Sequence, residues 1–373
     1  MNIPRLIIGA VGWLPMNRDG SSANDVRATG ILKKYYGEII LRLSREWNVR
    51  TFWYDWRKDL RLLASDLNRS VNSWFGSNTP VHFVAHSMGG LVVRSFAEAF
   101  PQRWTAAWDR PGKGKAGGRL VMLGTPNHGS FAIPQVITGA KPIVRKLAAV
   151  DLKHKLPDLL AVLNSFPGFY QMLPSPLIMS SMSPLYKAAT YGSSNPSQQL
   201  LDNALQHHRR LASVVDGQRM LYVAGANQAT HVDIADFGRI NSLEGYRSSL
   251  AGDGTVPHLL SFLKDKSGNR IPTFFVHCEH GNLPADDRVI TASSELMASG
   301  TCSLPQQPPT KVRGTAAVEA SEAALRLENA QSTFTRRWWR KAIAACSRAS
   351  RAVAVATRTR RWIRTGFSAR AAG

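Results

Sequence analysis

Cysteine is scarce: Cys278, Cys302 and Cys346 are three in 373 residues. They are odd in number, fall late in the chain and have neither disulfide-framework nor metal-ligand spacing, so a reducing, cytoplasmic setting without a bound metal is expected. Long apolar runs are missing as well, and none approaches the roughly 18 residues that would span a bilayer. The nearest case, LIIGAVGWLPM from Leu6 to Met16, loosely imitates a secretory leader. Asn17, Arg18 and Asp19 interrupt it before the small residues Ser21, Ser22 and Ala23, and secretion is not expected. There is no phosphate-cradling glycine loop and no dinucleotide fingerprint, so no cofactor is expected. Acidic residues run out after Ala330, where eleven arginines and lysines follow with no Asp or Glu.

That last absence accounts for much of the charge. The chain carries 47 basic and 25 acidic residues, a net +22, and removing the tail's eleven leaves 36 bases against all 25 acids. The body is moderately basic, which argues against a specific nucleic-acid partner. At 44% hydrophobic and 19% charged, the chain has ample material for a core.

Apolar runs with strand character alternate with helix-like stretches, the pattern of a mostly parallel sheet with crossover helices, and the fold class expected is α/β. Strands are expected at Leu6 to Val11, Val49 to Tyr54, Val81 to Ala85, Leu120 to Leu123, Met220 to Ala224 and Thr273 to His277. Helices are expected at Ile31 to Glu46, Asp59 to Phe75, Met88 to Phe100 (stopped by Pro101) and Asp286 to Ala298. Residues 131–218 break the rhythm, for FPGFYQMLPSPLIMSSMSPLY is apolar, proline-studded and too irregular for a sheet element. The segment has the character of a cap inserted between two core strands. One domain is therefore expected over 1–300, followed over 301–373 by a linker and a basic, disordered tail.

VHFVAHSMGGLVVRSF, Val81 to Phe96, places a serine where a strand gives way at once to a helix. In α/β hydrolases such a turn throws a nucleophile into the open, and the crowding two positions on either side demands small residues. Ala85 and Gly89 meet that demand around Ser87. The backbone N–H of Met88, at the start of the helix, is placed as an oxyanion donor. A bare small-x-Ser-x-Gly recurs by chance in many proteins, whereas one flanked by V-H-F-V-A and G-L-V-V-R is specific.

A serine needs a base, and the base an orienting acid, which in this fold follow in the order Ser, Asp or Glu, His. Asp253, in the glycine-flanked AGDGTVP, and His280, just past an apolar strand in FFVHCEHGNLP, fit that order. Asp233 and Asp236 are rival orienters, and His258 and His277 rival bases. His86, Asn127 and His128 are expected along a substrate groove.

These motifs resemble the lecithin:cholesterol acyltransferase-like group of α/β-hydrolase lipases and acyltransferases. The carriers are FWYDWRKDL with Tyr54 to Arg57, VAHSMGGLV around Ser87, GGRLVMLGTPNHGS from Gly117 to Ser130, FPGFYQMLP, GDGTVP and EHGNLP, in the family's order from Val26 to Pro284. The resemblance implies acyl-ester chemistry on lipid-like substrates, with Ser87 the nucleophile, His280 its base and Asp253 the orienter. An acyl-enzyme would pass its acyl group to water or an alcohol. Tyr54 to Arg57 are expected as a strand-end ion pair with a packed tryptophan.

The chain departs from the family twice. Upstream of Tyr54 there is no Pro-Gly or His-Gly turn to supply the second oxyanion amide, and the span from Met1 is short, so either RLIIGAVGWLP with Gly12-Trp13 substitutes or, the favoured expectation, the family's first strand is missing and a sheet edge is exposed. The tail, with Trp338, Trp339 and Trp362 among arginines, is expected as a solvated extension, with contact to an anionic membrane surface or nonspecific binding of nucleic-acid phosphates as the alternatives. Two further functions are compatible with the pattern: a non-catalytic lipid-binding or scaffolding protein, and an amidase or deacylase of a lipidated partner.

Overall fold

The computed structural model describes residues 14–17, 19–108, 118–151, 154–309 and 350–358. The expected strand at Leu6 to Val11 lies outside them. The first helix, α1 (Lys33–Leu43), buries Tyr36, Ile39 and Leu43 on one face and leads directly into β1 (Trp47–Asp55). Asp59 caps α2 (Leu60–Phe75), its carboxylate accepting from the Arg61 amide at 2.8 Å. β2 (His82–His86), buried along its whole length, runs into α3 (Met88–Ala99).

Pro101 does not merely end α3. It stands in the first turn of a further helix, α4 (Pro101–Ala106), where its fixed φ suits the turn and its missing N–H costs nothing. β3 (Leu120–Leu123) follows.

Between β3 and β4 (Met220–Ala226) the chain forms α5 (Ala132–Ile137), α6 (Pro142–Val150), α7 (Leu156–Leu163), α8 (Pro167–Tyr170), two 3₁₀ segments (Ser180–Tyr186 and Ala188–Ser194) and α9 (Gln198–Ala212). Three prolines of this stretch, Pro142, Pro157 and Pro167, stand in the first turns of α6, α7 and α8. Two short strands follow β4 that periodicity did not suggest, β5 (Thr230–Ile234) and β6 (Tyr246–Ser249), paired antiparallel with an irregularity between His231 and Asp233. β7 (Thr273–His277) leads by way of a 3₁₀ segment, His280–Ala285, to α10 (Asp287–Ser299).

β2, β3, β4 and β7 pair parallel in that order. Strands buried on both faces need apolar cover on both sides. Leu63 and Leu67 of α2 with Val92 and Phe96 of α3 cover one face, and Ile39 and Leu43 of α1 with Val289, Ile290 and Leu296 of α10 belong to the cluster on the other. Each such side chain, fully buried, contributes roughly 1.5–3 kcal/mol. The molecule is thus an α/β protein with a mostly parallel central sheet flanked by helices.

The tail corrects the expectation made for it. Ser350–Arg358 forms β8, which lies between β1 and β2 and is antiparallel to both. Composition made the stretch look like a solvated, Arg-rich extension, but RAVAVATR alternates around small and β-branched residues, and Val355 is fully buried. With β8 in place, β2 is paired on both sides. At the start of the tail, Pro305 accepts from the Phe275 amide at 2.8 Å and covers part of edge strand β7. Trp338, Trp339 and Trp362 lie outside the described residues.

Candidate active site

Ser87 sits at φ 56°, ψ −131°, between the end of β2 and the first residue of α3. Non-glycine residues hold such backbone only where the surroundings impose it. Here the Ser87 amide donates to Leu123 at the end of β3 (2.9 Å), which pins the turn to the neighbouring strand. Gly90 is required by close approach: a Cβ there would fall 2.1 Å from Thr125 Oγ1, so only glycine lets α3 pack this tightly on the loop after β3.

His280 Nε2 lies 2.9 Å from Ser87 Oγ, and His280 Nδ1 lies 2.7 Å from Asp253 Oδ2. The other oxygen of Asp253 accepts from the amides of Thr255 (3.0 Å) and Val256 (2.7 Å), so the buried carboxylate is well supplied with donors. A carboxylate only accepts, so Nδ1 carries the proton and Nε2 is free to accept from the serine hydroxyl. The His280 amide also donates to the Asp253 carbonyl at 2.8 Å, tying acid and base through main chain as well as side chain.

Room for this pair comes from Gly124 at the end of β3, which the sequence did not single out. Its φ is +58°, and a Cβ would stand 2.9 Å from Asp253 Oδ2 and 3.1 Å from His280 Nδ1.

The rivals stand elsewhere. His277 is exposed at the end of β7. His258 spends Nε2 on the Gly225 carbonyl (2.9 Å) between Phe262 and Phe275, and burial lowers its pKa. Asp233 pairs with Arg247, and Asp236 caps a 3₁₀ turn. Cys278, two residues before the imidazole, is no competing nucleophile, since burial pushes its thiol up to about 12.

Of the three residues expected along a groove, His86 borders the cavity beside Ser87, whereas Asn127 and His128 do not. That is a correction, and hydrogen bonding explains it. Asn127 Nδ2 donates to the Ser261 carbonyl (2.7 Å) and His128 Nε2 to that of Phe262 (3.1 Å), so both stitch the loop after β3 to the loop that carries Asp253. Burial, with Arg94 and His208 nearby, lowers His128 to about 3.

Arg94, on α3, stands behind this loop. It is 1% exposed, and its guanidinium donates to the carbonyls of Leu211 (2.6 Å), Val214 and Asn127 and to Asn127 Oδ1. Burial lowers it to about 9. An arginine inside the apolar run GLVVRSF was the available sign of this role.

A cavity of about 400 Å³ opens beside Ser87, walled by Tyr35, Trp56, Ile133, Val136, Phe169 and Met172. Trp56 stacks on Phe169 with ring centres 5.0 Å apart. Its neighbour Arg57 forms a buried pair with Asp55 (2.6 Å) and donates to the carbonyls of Leu14 and Val26, tying both to the end of β1. A larger, more polar cavity of about 940 Å³, between α7 and the 189–203 stretch, contains none of Ser87, Asp253 and His280. Among the described residues no group of His, Cys, Asp and Glu side chains is placed to hold a metal ion.

Fold and geometry together define an α/β protein with a serine, a histidine and an aspartate in one hydrogen-bonded line at the strand ends. No family model matches the chain, and no curated protein matches it either. Among solved structures it is similar to a chain of one described as "The crystal structure of Tle4-Tli4 complex", at 15% identity and a TM-score of 0.41 over 64% of this chain. The match spans 65% of that chain's length. The resemblance to the lecithin:cholesterol acyltransferase-like group therefore rests on the motifs alone.

Proposed function

We propose that the protein is a serine-dependent acyl-ester hydrolase or O-acyltransferase acting on lipid-like substrates. The observation that carries this reading is the line Ser87 Oγ, His280 Nε2, His280 Nδ1, Asp253 Oδ2, with both contacts within hydrogen-bond reach. The apolar walls of the adjoining cavity support an acyl chain as the group bound there.

Ser87 Oγ attacks the ester carbonyl carbon as its proton passes to His280 Nε2, and Asp253 steadies the imidazolium. The Met88 N–H, the first amide of α3, stabilises the oxyanion, since the leading amides of a helix have no acceptor within it. Collapse of the tetrahedral species expels the alcohol, which takes the proton from His280 and leaves the acyl group on Ser87. Water, or a second alcohol, then gives its proton to His280 as it attacks the acyl carbonyl, and the product leaves with Ser87 restored. Residues 131–218 act as the cap whose helices shape the acyl site. The basic tail brings the enzyme to anionic membranes; among the described residues no helix is long and apolar enough to cross one.

Purified protein is incubated with a fluorophosphonate probe and with p-nitrophenyl esters of increasing chain length. Labelling and hydrolysis are expected in the native chain and lost in Ser87→Ala. If the native chain does not label, the enzymatic reading falls and a lipid-binding role takes its place. Product analysis with an added long-chain alcohol separates transfer from hydrolysis.

A further inference from the structure

His86, the residue immediately before the nucleophile, has both ring nitrogens engaged. Nδ1 lies 2.9 Å from the Tyr36 hydroxyl on α1, and Nε2 lies 2.8 Å from the backbone carbonyl of His280. A carbonyl only accepts, so Nε2 must carry the hydrogen. In the neutral ring Nδ1 is then the acceptor, and Tyr36 must donate to it. The carbonyl therefore fixes the tautomer, and the tyrosine hydroxyl satisfies the nitrogen left as acceptor. His86 is 8% exposed and Tyr36 7%, so both bonds are largely shielded from competing water.

The bond falls on the main chain of the base itself. His280 stands at the start of a short 3₁₀ segment, a poor anchor for a side chain whose two nitrogens must meet partners on separate loops. Its amide is held by the Asp253 carbonyl, and its carbonyl by His86. Acid and nucleophile strand thus grip the peptide groups on either side of the base.

We infer that His86 is a positioning residue, which acts through the main chain of His280 to hold the imidazole between Ser87 and Asp253, with Tyr36 holding the ring of His86 by its other nitrogen. The partner's chemistry matters. The two imidazoles lie with ring centres 4.9 Å apart and planes tilted by 41°, so a carboxylate in place of the tyrosine would hold a proton on His86 and set a second cation beside the imidazolium that forms on His280. A phenol orients His86 without charging it. This inference rests on the triad reading above and adds to it how the base is held.

Asparagine and glutamine separate the two bonds. His86→Asn keeps an acceptor near the Nδ1 position for Tyr36 but cannot reach the His280 carbonyl, whereas His86→Gln places an N–H close to where Nε2 stands. In His86→Asn, kcat on p-nitrophenyl butyrate and the rate of fluorophosphonate labelling are expected to fall about five- to tenfold, the worth of one shielded hydrogen bond, with KM within about twofold. His86→Gln is expected to recover most of that loss, and Tyr36→Phe to show a smaller loss of the same kind. Equal rates for the two His86 variants, or a loss carried by KM, would overturn the inference.

A second readout does not depend on turnover. A strongly deshielded Nδ1–H proton on His280 is expected by proton NMR in the native chain, persisting in His86→Gln and broadening or moving upfield in His86→Asn. A signal unchanged in His86→Asn would remove the positioning role. Failure of the native chain to label would instead sink the serine mechanism, and this proton would still decide how His280 is held.

Discussion

The strained backbone of Ser87 is the residue-scale cost of the site, of order 1–3 kcal/mol for a non-glycine residue at positive φ. It is offset by the Leu123 carbonyl that holds its amide and by the apolar packing of β2 and α3 on either side. In return the hydroxyl meets an imidazole whose tautomer is dictated by a buried carboxylate. Asp253→Asn tests that dictation. The amide preserves the shape while presenting a donor to Nδ1, which favours the wrong tautomer, and ester hydrolysis is expected to fall about 10⁴-fold with the melting temperature within a few degrees of native. A drop of only a few-fold, measured beside Ser87→Ala as the floor, would mean that Asp253 does not orient the base. Ser87 was legible because a strand, a small-x-Ser-x-Gly turn and a helix follow one another within sixteen residues. Arg94 was not, because the carbonyls it holds, at Asn127, at Leu211 in the last turn of α9 and at Val214 just beyond it, come from segments that only the crossovers bring together.

Among the elements, β8 differs most from expectation. It supplies the ladder partner for nine residues of β1 and for four of β2, the strand that presents Ser87. Val355 pairs with Phe83 and is buried in the same cluster, so Val355→Asp would place an unpaired charge inside the sheet. The expected cost is at least about 3 kcal/mol, read as a melting temperature lowered by roughly 10 °C or as loss of a cooperative transition by circular dichroism. An unchanged melt would show that β8 does not occupy this place in solution. Strands β2, β3, β4 and β7 were visible as short apolar runs between turn residues, since burial on both faces leaves no other composition. β8 was hidden among arginines, and β5 and β6 by the charged and polar residues, such as Asp233 and Arg247, that they turn outward.

Across the whole molecule, burial sets a pH limit. His128 and His208 titrate at about 3 and about 4 because desolvation disfavours their charged forms, and Arg94 opposes a proton on either. In the unfolded chain each titrates near 6.5. Below that value the unfolded state binds protons that the native state refuses, so stability is complete above about pH 6.5 and declines as pH falls toward 4. The slope is of order 1.4 kcal/mol per pH unit for each histidine. Urea unfolding at pH 7, 6 and 5 is expected to show the midpoint falling across that range, with a shallower fall in His208→Gln. A midpoint flat from pH 7 to 5 would mean that neither ring is held neutral by the fold.

Short-range physics was decisive for part of this protein. Apolar periodicity set the sheet strands and their helices, turn crowding set the nucleophile, and the order of Ser87, Asp253 and His280 along the chain follows from a parallel sheet that offers its strand ends on one side. Tertiary structure alone decided how Asp253 and His280, which the motifs singled out, are separated from their rivals in space, why Asn127 and His128 turn away from the cavity, how His86 reaches the base, and where β8 lies. The reason is one of range. Backbone preference and side-chain periodicity act over a few residues, whereas the acceptor available to a buried donor depends on which distant loops the crossovers place beside it.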